Sequence, residues 1–400
     1  MTQLPLATGQ KTPLIFGCPL SSNALGTKFS GYLWIQYNDQ LQSNNINNIA
    51  IVTAVASSTQ SESATASTTS TTSTTSTSTT STTTTSIHYV PITLTNSQGS
   101  GTGSGFQQQV SVNSNAYSTY INSPWNNVEF TTGPSATGTV LQGWIESAAS
   151  NTASNTVVWL NLPSTIGADS NTVVYMNFMP INVLSSGGPT GEAPSLSGTY
   201  GQYDNGGRVF PYYQPWGGLS SLPSGWVNAA SGSALTYYPS YTQITSAGPS
   251  HAYVNYSGAP FSSMSAPFTI DWYGDMYECT GTTIYTGVQS ATSYSIIGEN
   301  NCPAPFVEAT GITYTQVGGE GGSGNKVYTN MWYTSTSYKF MIGYSSIASG
   351  TVATPVGSMT KFVLSGGSYS GNPPINVYWL RTRVTPPSGV MPSVSFGSFV

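Results

Sequence analysis

Short segments with the composition of β-strands follow one another along most of this chain, and this succession constrains its fold more than any other feature. Two of them, Thr156–Leu162 and Thr172–Phe178, repeat the same cadence of β-branched and aromatic residues sixteen positions apart. We expect them to be neighbouring strands of one sheet. Gly, Pro, Asn and Ser fill the gaps, and no stretch shows the 3.6-residue periodicity of a capped helix. The pattern predicts an all-β protein of tandem sandwich or jelly-roll domains.

The strand segments form two groups, which we interpret as two domains joined near residue 198. The first domain, residues 87–198, is predicted to be a β-sandwich of the jelly-roll type, with strands such as Thr139–Ser147. A turn-rich stretch follows, and a second series of strands occupies residues 199–400. The last residues, Ser393–Val400, are predicted to form the final strand of that second domain.

A tract made only of Ser and Thr, Ser67–Ser86, precedes these domains. Because it has no apolar face to bury, it cannot offset the entropy cost of folding. Residues 57–86 are therefore predicted to be an extended linker, open to O-glycosylation. Upstream, residues 1–56 contain two strand segments, Phe29–Tyr37 and Asn48–Ala56, which are too few to bury a core. This N-terminal β segment either docks on a partner or supplies strands to the first sandwich.

Charged residues are scarce, and this scarcity restricts both the environments in which the protein is expected to work and the classes of partner that it can bind. Only 8 Lys or Arg and 13 Asp or Glu occur in 400 residues, whereas charged residues usually make up about 25% of a soluble domain. Hydroxyl and amide groups must therefore make most of the contacts between the surface and water. In strong acid, with both His charged, the formal charge would move from −5 to about +10. The composition indicates an acidic environment or a sugar-coated surface. No Lys or Arg lies between Lys28 and Arg208, which argues against nucleic-acid binding.

The sequence gives no indication of export, membrane insertion or cofactor binding. Its start, Met1–Leu6, lacks the basic and apolar regions of a signal peptide, and no run approaches the length of a membrane span. The three cysteines lack the spacing of a zinc site. Cys279 and Cys302 form a candidate disulfide whose loop would contribute about 3 kcal/mol, with Cys18 left single. We predict no metal site and no other cofactor.

Several separated motifs carry a resemblance to a family of archaeal virus proteins. They are Gly143–Glu146, Val158–Pro163, the segment GEAPSLSGTYGQYDNGGRVF at Gly191–Phe210, Leu219–Trp226 and Tyr378–Gly397. In this order they resemble turret, spike or fibre structural proteins of Sulfolobus-type archaeal viruses, which carry a β-sandwich domain followed by a concanavalin-like jelly roll. The resemblance covers residues 87–400 and does not include the first 86 residues.

The resemblance implies a non-enzymatic structural protein of the virion surface, made in the host cytoplasm and displayed for host attachment in hot acid. The partners that it implies are other capsid or vertex proteins, reached through the N-terminal region, further copies of the chain, and a host surface glycan or S-layer receptor. No catalytic residue transfers with it. Two alternatives stay open: a carbohydrate-binding adhesin or lectin of a cell surface and, ranked behind it, an acid-stable glycosidase.

The densest group of carboxylates, Asp271 to Glu278, is the first candidate for chemistry. On one strand Asp271 and Asp275 share a face but stand ~13 Å apart at ~3.3 Å per residue, whereas glycosidase pairs need ~5–9.5 Å. A carboxylate from another strand, such as Glu299 or Glu308, would have to close that distance. A Ca²⁺ site from Asp271, Asp275 and Glu299 is a second hypothesis. We favour a structural or solvent-facing role for these groups.

An acid peptidase and a serine hydrolase are two further enzyme hypotheses. Gln142 and Glu146 match the residue types of a low-pH peptidase pair, but they lie ~13 Å apart on one strand and cannot activate one water together. Neither His88 nor His251 accompanies a GxSxG nucleophile motif. We therefore predict no catalytic residues.

Two further motifs have a structural interpretation. Arg381 and Arg383 lie two positions apart, so they share one face of a predicted strand. We expect them to pair with carboxylates or carbonyls, with a partner-docking face as the alternative. The run Asp204-Asn-Gly-Gly is predicted to be a turn, because Asn and Gly tolerate a positive φ.

Aromatic residues cluster at the entry to the second domain and form a candidate carbohydrate- or receptor-binding surface. Aromatic rings stack on sugar faces, although such clusters more often pack within a core or an interface. The six residues are Tyr212, Tyr213, Trp216, Tyr237, Tyr238 and Tyr241. The sequon that begins at Asn255 is a candidate glycosylation site.

Overall fold

The structure is a computed structural model that describes residues 28–31, 52–55, 87–184, 188–194, 196, 203–229, 233–246, 252–276, 283–300, 305–317, 324–366 and 374–400. The chain divides into two compact units, Met1–Thr82 and Thr83–Val400. In the first unit, β1 (Lys28–Gly31) pairs antiparallel with β2 (Val52–Val55). β1 overlaps the start of the predicted segment Phe29–Tyr37, and β2 lies inside Asn48–Ala56. The rest of residues 1–56 and the linker at 57–86 lie outside the described residues.

The larger unit contains a first β-sandwich of two sheets. Its strands are β3 (His88–Asn96), β4 (Phe106–Val112), β5 (Val128–Gly133), β6 (Thr137–Val140), β7 (Gln142–Ser147), β8 (Thr156–Leu162), β9 (Ser170–Phe178), β10 (Thr190–Glu192) and, from much further along the chain, β26 (Ser393–Phe396). One sheet has the order β26-β3-β9-β5-β6 and the other the order β10-β7-β8-β4. Alternate residues of β3, including Ile92 and Leu94, are fully buried between them, as the two-residue period of a strand requires.

The repeated cadence of Thr156–Leu162 and Thr172–Phe178 arises from a different arrangement than the one predicted. The two segments belong to β8 and β9, which lie in opposite sheets of the sandwich. Leu160 of β8 and Met176 of β9 enter the same core from its two sides. The expectation that they are neighbours in one sheet is therefore wrong, because facing sheets impose the same inward alternation as adjacent strands do.

The strand β26 returns from the end of the sequence to the first sandwich. It pairs antiparallel with β3, with Val394 opposite Leu94, and Val400 and Tyr89 exchange two backbone hydrogen bonds beyond the strand. The sequence interpretation placed Ser393–Val400 at the end of the second domain, whereas these pairs attach the segment to the first. Without β26, β3 would be the edge strand of its sheet, and the pairing gives its exposed backbone groups partners. A local sequence pattern carries no information about such a distant partner.

The second sandwich is larger. Its strands are β11 (Tyr212–Pro215), β12 (Trp226–Asn228), β13 (Ser233–Tyr237), β14 (Thr242–Ser246), β15 (Ala252–Tyr256), β16 (Phe268–Met276), β17 (Thr283–Gln289), β18 (Tyr294–Asn300), β19 (Pro305–Ala309), β20 (Ile312–Gln316), β21 (Lys326–Trp332), β22 (Ser337–Ile342), β23 (Ser345–Thr351), β24 (Lys361–Gly366) and β25 (Ile375–Arg383). One sheet has the order β13-β14-β25-β16-β21-β22-β23, with β11 also paired to β25, and the other the order β12-β15-β24-β17-β18-β19-β20. The prediction of an all-β fold with tandem sandwiches is confirmed.

A third apolar cluster joins the two sandwiches. It contains Trp144 and Trp159 from β7 and β8, Trp379 from β25, and Val209 and Phe210 around the single-turn helix α1 (Gly206–Val209). The outer face of the smaller sheet of the first sandwich thus packs against the outer face of the eight-stranded sheet of the second. None of the helices in the described ranges is long and apolar enough to cross a membrane.

Candidate functional site

Two arginines and one aspartate form the base of a buried charged site on the eight-stranded sheet. Asp271 of β16 lies opposite Arg381 of β25 in the register of the sheet. Its Oδ2 accepts hydrogen bonds from Nε of Arg381 at 3.0 Å and from Nε of Arg383 at 2.9 Å, and its Oδ1 accepts one from Thr329 at 2.7 Å. The predicted pairing of both arginines with a carboxylate is confirmed.

The first sandwich contributes a second carboxylate, Glu146 of β7. Its Oε2 lies 2.8 Å from Nη2 of Arg381 and accepts hydrogen bonds from the indole of Trp159 at 2.8 Å and the hydroxyl of Tyr344 at 2.5 Å. Nη2 of Arg381 also donates to the Tyr344 hydroxyl at 2.8 Å. We call the five residues Glu146, Asp271, Tyr344, Arg381 and Arg383 the interdomain ion cluster, because side chains from both sandwiches complete it.

Aromatic rings enclose the guanidinium of Arg381. Its central carbon lies 4.3–5.3 Å from the ring centroids of Trp159, Trp379, Phe210 and Trp144. Burial disfavours the charged form of Arg381, but the Tyr344 hydroxyl and the two carboxylates outweigh it and raise the pKa. Burial likewise opposes the charged form of Asp271, yet Arg383 and Arg381 hold its pKa below the usual range. Both groups are therefore charged in the folded protein.

The ion cluster contains two of the residues considered as catalytic or metal-binding candidates, Asp271 and Glu146. The Asp271 side chain is 0% exposed and holds arginines through one oxygen and a threonine through the other. Glu299 lies against Tyr328 in the core of the second sandwich, away from Asp271, which faces the first. In the part of the chain that the structure describes, no three acidic, His or Cys side chains are grouped so as to hold a metal ion.

The motif around Asp204 forms a second polar contact in the junction between the sandwiches. Asp204 accepts hydrogen bonds from the indole of Trp144 at 2.8 Å and from the hydroxyl of Tyr213 at 2.6 Å. Burial raises the pKa of Asp204 despite these bonds. Asn205 has φ −108°, so the motif is the start of α1 rather than a turn with positive φ. Gly206 of this motif is required for steric reasons, because a Cβ at this position would lie 2.6 Å from the ring of Tyr213.

The six aromatic residues at the entry to the second domain occupy different environments. Trp216 is fully buried against Trp226, with ring centroids 4.7 Å apart. Tyr212 packs on Phe261 at the edge of the same core. Tyr213 lies in the junction, and Tyr237 is half-buried on β13. These four do not form one surface.

The remaining two, Tyr238 and Tyr241, begin a row of rings on the outer face of the eight-stranded sheet. Their centroids are 4.5 Å apart with nearly parallel planes. Tyr241 lies 5.2 Å from Tyr378, which lies 5.2 Å from Tyr273, and Tyr273 stacks on Trp379 at 5.5 Å. We call Tyr238, Tyr241, Tyr378 and Tyr273 the tyrosine row. Only Tyr238 and Tyr241 are neighbours in the sequence and recognisable from it, because Tyr378 and Tyr273 lie on distant strands.

The tyrosine row leads into an open cleft of about 350 Å³ between the two sandwiches, which we call the interdomain cleft. Its lining includes Tyr273, Tyr378, Trp379, Glu146, Ser240 and Asn325. The cleft thus combines aromatic faces with amide, hydroxyl and carboxylate groups, a composition typical of small-ligand sites.

The predicted glycosylation site and the predicted disulfide both stay predictions. Asn255 is half-buried on β15, where it pairs with Val227 of β12 and Val363 of β24. Modification there and in the Ser/Thr tract stays a prediction, which an intact mass above the 41.9 kDa of the polypeptide would support. Cys279 and Cys302 lie outside the described residues.

Comparisons with known proteins relate part of the chain to a virus. No family model matches it. A segment of 124 residues is 43% identical to an uncharacterized protein of Sulfolobus islandicus rod-shaped virus 1, and the match covers 30% of this chain. The chain spans about a fifth of the length of that viral protein, 21%. The chain is therefore similar in part to a Sulfolobus virus protein.

Comparisons with solved structures find β-sandwich proteins. A β-glucanase of Bacillus licheniformis matches 43% of this chain and 97% of its own length, at 12% identity and a TM-score of 0.34. A carbohydrate-binding module of Bacillus subtilis matches 40% of this chain and 95% of its own length, at 11% identity and a TM-score of 0.29. These overlaps concern the fold and not an activity.

Proposed function

We propose that this chain is a non-enzymatic structural protein of the virion surface of an archaeal virus, a turret or spike component displayed for host attachment. The observation that carries the proposal is the buried interdomain ion cluster, which fixes two sandwiches against each other. Interfaces between domains of one chain are commonly small and permit relative motion. A junction of desolvated, ion-paired groups surrounded by tryptophans resists such motion, as a projecting element requires. The partial similarity to a viral protein supports the same assignment.

The charge properties of the protein suit a hot, acidic habitat. Asp271 has a lowered pKa, so its bonds to Arg381 and Arg383 persist at pH values where ordinary carboxylates are protonated. The scarcity of other charged groups limits the change of surface charge in acid. These are the properties that we expect of a virion component exposed to an acidic spring.

Mass spectrometry of purified virions and labelling with antibodies against this chain test the proposal. We expect the protein in intact particles, with antibody bound to the particle exterior. Its absence from purified particles would remove the virion role, whereas presence without labelling would place it in the interior. Incubation of the protein with polysaccharides at low pH tests the glycosidase alternative, since released reducing ends would contradict the non-enzymatic assignment.

Residues 1–56 are proposed to dock on another capsid or vertex protein, and the chain is proposed to assemble into a homo-oligomer on a symmetry axis. Deleting residues 1–86 tests the docking. We expect a truncated protein that is as stable as the full chain but no longer incorporated into particles, because Thr83–Val400 forms a compact unit. An unfolded remainder would show instead that the N-terminal strands complete the first sandwich.

A carbohydrate-binding adhesin is the second candidate function, and the interdomain cleft favours it. The cleft has aromatic and polar walls, and host surfaces present glycans that a displayed protein could hold. This function is compatible with a place on the virion and supplies its attachment step.

A further inference from the structure

We infer that the interdomain cleft binds an uncharged hexopyranose unit of a glycan, with its ring stacked on the tyrosine row. This inference deepens the attachment step of the proposed function and rests on it for its biological role. The binding itself is a property of the chain, so it is testable without a virion.

The tyrosine row provides the stacking surface. Its four rings follow one another at 4.5–5.2 Å between centroids, and the last, Tyr273, stacks on Trp379 inside the cleft. Tyr238, Tyr241, Tyr273 and Tyr378 are each partly exposed. Rings held in this way lose little conformational entropy when a ligand packs on them, and a pyranose offers them its apolar C–H face. The cleft volume of about 350 Å³ is at the lower end of ligand pockets, which suits one or two sugar rings.

Polar groups at fixed positions complete the cleft. The contacts of Glu146 to Arg381, Trp159 and Tyr344 all use Oε2. They hold the carboxylate in one orientation at the wall of the cleft. Ser240 and Asn325 line the same space with a hydroxyl and an amide. Such acceptors and donors match the hydroxyls of a sugar.

The charge of the cleft selects an uncharged ligand. Glu146 is the one charged residue of its described lining, and Arg381 already neutralises it. A sulfated or carboxylated sugar would meet no free cation in this lining, and its charge would lie close to that of Glu146. Burial raises the pKa of Tyr273, with Tyr378 and Glu146 adding to the effect, so its hydroxyl stays protonated at neutral pH and below and can donate a hydrogen bond.

A panel of neutral and sulfated oligosaccharides tests the inference with the full chain. The neutral probes are glucose-, mannose- and galactose-based tetrasaccharides, and binding is followed by calorimetry and by tryptophan fluorescence, which Trp379 would report. We expect saturable binding of at least one neutral probe and weaker binding of its sulfated form. Tyr378→Ala should weaken binding at least tenfold, and Tyr241→Ala and Asn325→Ala several-fold each.

Controls separate loss of the site from loss of the fold. Tyr378→Phe keeps the stacking ring and should bind nearly as well as the wild type. Tyr314→Ala removes an exposed tyrosine from the other sheet of the second sandwich and should leave binding unchanged. Failure of every neutral probe to bind, binding that survives both Tyr378→Ala and Tyr241→Ala, or a preference for sulfated probes would each overturn the inference. None of these results would affect the virion assignment, which particle composition decides.

Discussion

Arg381 connects the two sandwiches through contacts that a different side chain could not make together. Its Nε bonds Asp271 of the second sandwich while Nη2 bonds Glu146 of the first, and its planar face lies among four aromatic rings. A guanidinium offers several donors in one plane and also stacks on rings, whereas an ammonium is a compact, strongly hydrated charge. The residue therefore combines ion pairing with packing in a dry junction.

Replacing Arg381 should destabilise the protein strongly. Arg381→Met leaves Asp271 and Glu146 buried with fewer counter-charges, and we expect the free energy of unfolding to fall by about 3–5 kcal/mol. Arg381→Lys should recover only part of it. Urea unfolding followed by tryptophan fluorescence measures the change. Arg208→Met, at an exposed arginine, is the control and should change stability by less than about 0.5 kcal/mol. An Arg381→Met protein as stable as the wild type would show that the cluster is dispensable.

The stabilities contributed by Asp271 and Asp204 should respond to pH with opposite signs. Asp271 has a lowered pKa in the folded state, so it stabilises the protein above its unfolded pKa and loses this effect as the pH falls through the folded value. Asp204 has a raised pKa, so its charge costs stability at neutral pH and the cost disappears as acid protonates the folded state first.

Replacing each aspartate with asparagine tests these opposite pH dependences of stability. Asp271→Asn should be less stable than the wild type at pH 7, with a difference that shrinks only in strong acid. Asp204→Asn should lose stability relative to the wild type as the pH falls from 7 to 3. Unfolding curves at several pH values test both trends. Parallel pH profiles for the two variants would contradict the assigned pKa directions.

At the scale of elements, the alternation of apolar and polar residues predicts where most strands lie but not which strands pair with each other. The polar strand β4 (Phe106–Val112) was not predicted, because its run of three glutamines hides the two-residue period. Two of these glutamines, Gln107 and Gln108, are nevertheless buried. Gln107 accepts a hydrogen bond from the backbone N–H of Val384, and Gln108 donates one to the carbonyl of Pro392. Hydrogen bonds from distant segments of the chain thus allow this polar strand to be buried.

The attachment of β26 to the first sandwich predicts a specific loss of stability. Phe399 follows β26 and packs against Tyr120 at 4.3 Å and against His88 at 5.1 Å between ring centroids. We expect Phe399→Ala to cost about 1–2 kcal/mol, since such ring pairs contribute beyond the area that they bury. Phe396→Ala on the same strand, at a more exposed ring, should cost clearly less. Equal effects of the two substitutions on urea unfolding would contradict the contacts assigned to Phe399.

At the scale of the whole molecule, the residues from 83 onward form one compact unit and not two independent domains. The chain passes from the first sandwich to the second and returns through β26. The third apolar cluster and the ion cluster fill the junction between them. The two sandwiches should consequently unfold together.

Calorimetry of two tryptophan variants tests this coupling. The wild type should show one transition for the larger unit. Trp144→Ala removes a ring from the junction together with its bond to Asp204, and we expect it to separate the transition into two. Trp125→Ala, at an equally buried tryptophan inside the first sandwich, should lower the melting temperature but keep one transition. Two transitions in the wild type would show that the junction couples the sandwiches only weakly.

Sequence alone determined the all-β class and the positions of most strands, and it predicted that Arg381 and Arg383 pair with carboxylates or carbonyls. These properties depend on local alternation, on turn residues and on the rarity of charge, and all three are visible within a short window of sequence. It also identified Tyr238 and Tyr241, because they are neighbours along the chain.

Tertiary structure alone decided which carboxylates the arginines meet, where β26 pairs and which tyrosines line the cleft. Asp271 and Arg381 are 110 positions apart, and Glu146 and Tyr344 are 198 apart. Contacts at such separations follow from how one sheet packs on another, and the two-residue period of a strand is the same whichever partner it faces. For this reason the repeated strands were assigned to one sheet when they belong to two.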